Sequence, residues 1–158
     1  MSLEYTLEVL MKMSSERVLH LLAEKLEAEL LPPHQGAHES LKGFVDVPKA
    51  ALVSVQEPSP IGQTVIEEAF NFRPNMTIGF RLNKEDVQAG EKVIAKSIKA
   101  IDSNVEKFVL LFNGEETVVL KAEGKTLLSD SSPYMITHEL EREGICYEKC
   151  KLESPLIA

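Results

Sequence analysis

The residues best suited to chemistry stand near the end of the chain: His138, Cys146 and Cys150. A cysteine pair with an upstream histidine could ligate a transition metal, and a cysteine beside a histidine could act as a nucleophile with its base. The spacing supports neither. Cys146-x3-Cys150 is wider than the usual zinc pair, and the other histidines, His20, His34 and His38, are scattered. Cys146 follows the helix-stopping Gly144 rather than opening a helix, where a thiolate would be favoured. An enzyme would have to be assembled from His138, Glu139 and Cys146. The two cysteines read more simply as free thiols of a reducing compartment, and no metal or cofactor is expected.

Other chemistry is sparse. No Gly-x-Ser-x-Gly elbow occurs, and Ser59, Ser129, Ser131 and Ser132 lie beside turns, where serine caps helices. The eight glycines form neither a dinucleotide fingerprint nor a phosphate loop. Acids do come in pairs: Glu67-Glu68, Glu85-Asp86 and Glu115-Glu116. Neighbours on a helix point about 100° apart, and neighbours on a strand point to opposite faces, so neither Glu67-Glu68 nor Glu115-Glu116 reads as a general acid with its base, and Glu85-Asp86 reads as the acidic start of a helix. They read as solvated surface. Glu67, Glu68, Asp86, Glu115 and Glu116 are the candidates for contacting a partner.

The balance of charge fits that reading. The 158 residues carry 25 acids against 17 bases, a formal charge of −8. Such a surface repels nucleic acid and anionic membrane, and attracts basic proteins. Lysines and arginines form no stripe with interleaved aromatics, and Trp is absent. With 44% hydrophobic and 27% charged residues, the composition is that of one globular domain over 1–158. No run of about 18 apolar residues could span a bilayer. Residues 1–11 alternate and carry Glu4 and Glu8, unlike a secretory signal, so a cytoplasmic location is expected.

The elements that would position these groups follow from periodicity. Leu3, Tyr5, Leu7 and Val9 alternate with polar residues and predict a half-buried strand. Ser14 or Ser15 caps a helix whose stripe, Val18, Leu22, Leu26 and Leu30 with Leu19 and Ala23, runs to Pro32-Pro33. Residues 34–43 are polar and read as a flexible loop. Phe44–Val47 and Ala50–Val55 read as extended. Ser59-Pro60 opens a short helix, and Met76–Leu82 alternates as a strand. A second long helix spans roughly 84–103. Phe108–Phe112 is continuously apolar and reads as a central strand covered on both faces. Asn113-Gly114 and Glu123-Gly124 mark turns between Phe112, Thr117–Leu120 and Thr126–Leu128. Ser132-Pro133 opens a last helix over about 134–142, and 145–158 is a tail without periodicity. The expected fold is α+β: a mostly antiparallel or mixed sheet of about five to six strands with two long helices on one face. An exposed sheet edge would also permit a homodimer.

Several words in this chain resemble the immunity proteins of the Sit toxin–immunity system. They are Phe70-x-Phe72-Arg73-Pro74, Gly79-Phe80-Arg81-Leu82-Asn83-Lys84 and Leu110-Leu111-Phe112-Asn113-Gly114-Glu115, together with the opening Leu3-Glu4-Tyr5-Thr6-Leu7 before a Ser-capped leucine helix. The family's Phe-Trp pair before its last helix is replaced here by Ser132-Pro133-Tyr134. The resemblance implies a non-catalytic bacterial protein that binds and neutralises a cognate toxin in the cytoplasm. Toxins of this kind are often nucleases, whose basic surfaces an acidic inhibitor would complement. From the residues alone, a binding or structural module, or a small-ligand-binding protein, is the alternative.

Overall fold

The structure is a computed structural model and describes residues 3–132 and 134–155. Among the described residues one nine-stranded sheet contains every strand, in the order β2-β3-β4-β5-β1-β6-β7-β8-β9. In chain order these are β1 (Leu3–Met11), β2 (Glu29–Leu31), β3 (Leu41–Val47), β4 (Ala51–Gln56), β5 (Met76–Leu82), β6 (Val105–Phe112), β7 (Glu116–Ala122), β8 (Lys125–Ser129) and β9 (Glu148–Cys150). All neighbours pair antiparallel except β8 and β9, which are parallel and joined through a helix. The helices are α1 (Ser15–Lys25), α2 (Pro60–Phe70), α3 (Val87–Ile101) and α4 (Tyr134–Arg142).

The α+β class and the mixed sheet are as expected, but among the described residues nine strands replace five to six, and three helices rather than two cover one face while the fourth lies on the other. The first helix is shorter than its stripe. Leu30 continues the helical period, yet Glu27 turns to φ 51°, the helix ends at Lys25, and Leu30 pairs with Val45 as part of β2. Pro32-Pro33 therefore ends a strand. The loop after it closes at Ser40, and β3 begins at Leu41. The tail also contains a strand, which puts Cys150 in β9 rather than outside the regular elements. Both edge strands, β2 and β9, are only three residues long.

Capping and turn chemistry set the remaining boundaries. Ser14, Ser59 and Asp86 each accept a hydrogen bond from the backbone three residues on, at the starts of α1, α2 and α3. Asn113 and Gly114 both have positive φ, at 51° and 74°, and Glu115 N–H closes the turn on Phe112 at 3.1 Å. Pro133, expected to open the last helix, lies outside the described residues.

Helices α1, α3 and α4 cover one face. Leu22 of α1, Ile94 and Ile98 of α3 and Ile136 and Leu140 of α4 form one core with Leu7, Phe80, Phe108 and Leu110 of the sheet. Helix α2 covers part of the opposite face, where Ile66 and Phe72 meet Val109 and Leu111. Strand β6 is thus buried on both sides, as its apolar run requires.

Candidate functional site

Alternation in β1 sends Tyr5, Leu7, Val9 and Met11 into the larger core, so Glu4, Thr6, Glu8 and Leu10 point to the other face. The register then builds three cross-strand rows on that face. Glu8 lies opposite Thr77, and Thr77 opposite Gln56. Thr6, Gly79 and Ser54 form the second row, and Glu4, Arg81 and Leu52 the third. Opposed residues share a face, so a patch of mostly polar side chains spans β1, β5 and β4.

The patch is the floor of a trough. Two adjoining cavities of about 500 and 740 Å³ share Thr6, Gln56 and Thr77. The cap and first half of α2, from Ser59 to Ile66, wall one side. On the other, His34 of the β2–β3 loop stacks on Phe44, ring centres 6.1 Å apart. Gly79 keeps the floor low, because a Cβ there would sit 2.7 Å from Ser54 Oγ.

Charge on the floor is unevenly partnered. Arg81 is held by Glu4: its Nε donates to Glu4 Oε1 at 3.1 Å, and Nη2 lies at the same distance. At the rim, Lys42 Nζ stands 3.3 Å from Glu57. Glu8 is different. It is 6% exposed, and its one hydrogen bond among the described residues comes from the Thr77 hydroxyl to Oε1 at 2.6 Å. Burial pushes its pKa above the ordinary carboxylate value, and the Thr77 bond opposes that rise.

The five acids expected to meet a partner are all exposed, and they are dispersed. Glu67 and Glu68 lie late in α2, and Glu67 Oε1 is 3.5 Å from Arg73. Arg73 precedes Asn75, whose side chain bonds both backbone groups of Met11 at 2.8 and 2.9 Å. Glu115 and Glu116 lie at the other end of the strands, beside the turn that Asn113 ties to Glu4. Asp86 follows Leu82, which pairs with Leu3 at that same end, and it is already used as the cap of α3.

Glu8 was not a sequence candidate, because it falls in the polar half of an alternating strand and nothing local shows that α2 will cover it. Glu91 did carry a signal. It sits four residues after Val87 and three before Ile94, on the apolar stripe of α3, and it is 2% exposed. Glu139, named above with His138 and Cys146, is 3% exposed and raises the pKa of Glu91, whereas Cys146 lies on the surface. Among the described residues no three His, Cys, Asp or Glu side chains form a metal-binding group. No described helix is long and apolar enough to cross a membrane.

The words of the resemblance have structural roles around this trough. Phe70 and Phe72 pack α2 onto the sheet, Arg73 fastens Glu67 and Gln63, and Gly79 lies in the floor. The family model described as SitI3-like matches residues 3–139. No curated protein and no solved structure matches the chain.

Proposed function

The chain belongs to the SitI3-like family, and on that premise we propose that it is an immunity-type protein that binds a cognate protein toxin and blocks it by occupancy. The observation that carries this reading is the family match over residues 3–139. The trough supports it: its floor is an open, mostly polar sheet face suited to contact rather than to bond making. The formal charge of −8 favours a basic partner and fast, electrostatically steered encounter. We place this action in the cytoplasm and without turnover of any substrate.

Co-expression tests the reading. The full chain is produced in cells together with the candidate toxin encoded beside it. The expected outcome is restored growth and recovery of the two proteins as one complex. Neither rescue nor a complex with that toxin would overturn the proposal.

A further inference from the structure

We infer that the floor of the trough receives a cationic side chain, arginine or lysine, from the partner protein, with Glu8 as its counter-ion. This rests on the immunity reading for the partner's identity, but the site itself follows from the partnering of charges. Glu4, Glu8 and Glu57 are the carboxylates of the two cavities. Arg81 occupies Glu4 and Lys42 occupies Glu57. Glu8 has no basic partner among the described residues, although it is the most buried of the three. Its Oε2 accepts no hydrogen bond there either, while Thr77 holds Oε1 and so fixes the group's orientation.

A carboxyl in that state is costly as an anion until a cation reaches it, and it gains most from a cation that also excludes water. The trough leaves room for one. Gly79 and Ser54 present almost no side-chain height in the neighbouring row, and Thr6 and Gln56 offer further polar atoms beside the entry. A protein is the better occupant than a small ligand because of the rim. Ile61 is 79% exposed between Pro60 and Gly62, both of which line the trough, and it is the exposed large hydrophobic residue of the described chain. A protein surface that seats a basic side chain on Glu8 would also cover Ile61, and the formal charge of −8 favours a basic protein in that place.

The test has two arms, both on the full chain. N-acetyl-arginine amide and its uncharged citrulline counterpart are titrated into the labelled protein and followed by NMR. Arginine should give saturable shifts at the amides of Thr6, Glu8 and Thr77. Citrulline should give none, and Glu8→Gln should abolish the arginine response. In the second arm, Glu8→Gln and Gln56→Lys are measured against the co-purifying toxin. Gln56→Lys places an ammonium in the same cross-strand row as Glu8 and should compete in cis. Both variants should keep the wild-type denaturation midpoint or exceed it, and weaken toxin binding about tenfold or more. Identical responses to arginine and citrulline would overturn the inference, as would toxin binding by Glu8→Gln at wild-type affinity. Should the wild-type chain bind no toxin, the immunity reading fails on its own, and the arginine titration still decides the site.

Discussion

Glu91 of α3 and Glu139 of α4 are buried together where the two helices pack, at 2% and 3% exposure, and Glu139 Oε1 has no hydrogen-bond partner among the described residues. The nearest described cation is Arg142, 3.9 Å from that oxygen. Desolvation first, and the Glu139 charge second, push the pKa of Glu91 up to about 7. Tyr5 feels the same environment and is raised to about 12, by burial and then by Glu91 and Glu116.

A pH dependence follows. Between the ordinary carboxyl value of 4.5 and about 7, folded Glu91 keeps a proton that the unfolded chain has released. The contribution of Glu91 to stability therefore falls as pH rises through that window. Glu91→Gln is expected to flatten this slope and to raise stability at pH 8 by about 1–3 kcal/mol. Urea denaturation of both proteins from pH 4.5 to 8 reads the slope directly. Equal slopes would refute the assignment.

Gly90 of α3 lies directly against Leu82 of β5. A Cβ there would sit 2.3 Å from Leu82 Cγ and 2.8 Å from its Cδ2. Helix propensity alone would make Gly90→Ala stabilising by about 1 kcal/mol. The packing conflict should outweigh it and leave a net loss of about 1–2 kcal/mol. A raised urea midpoint for this variant would show that α3 has slack against β5.

Gly114 is a backbone requirement of a different kind. Its Cβ would meet nothing within 4 Å, but its φ of +74° disfavours any side chain. Gly114→Val is expected to cost about 1–3 kcal/mol through backbone strain alone. An unchanged denaturation midpoint would mean that the β6–β7 turn has another conformation.

The exposed acids are a kinetic proposal. Glu115 and Glu116 lie beside Gly114, which lines the trough. Reversing both to Lys should change stability by less than about 1 kcal/mol, since exposed charges contribute little. It should slow association with the toxin about threefold or more at low salt, with the difference shrinking at high salt. Stopped-flow rates equal to wild type at low salt would remove this pair from the encounter surface.

Where the chain announced its structure, it did so through strong local signals. The alternation of β5, the Ser59-Pro60 helix start and the positive φ of Asn113 and Gly114 all follow from residues within a few positions of one another. The failures are places where two periods overlap or a distant partner decides. Leu30 fits a helix stripe and a strand equally well, and pairing with Val45 settles it. Strand β9 is three residues long and exists because Leu127–Ser129 lies beside it. The same limit hid the trough. Thr6, Ser54 and Gly79 are separated by up to 73 positions in sequence, and only the register makes them one row. Glu8 looked like Glu4 because period two says which face a residue takes and nothing about what covers that face.

A calorimetric titration of the purified full chain into the candidate toxin tests whether the two proteins bind. The expected result is a saturating one-to-one isotherm that weakens as salt is raised, with toxin activity lost in step with occupancy. No binding at any salt concentration, with the toxin remaining active in the presence of excess chain, would contradict it.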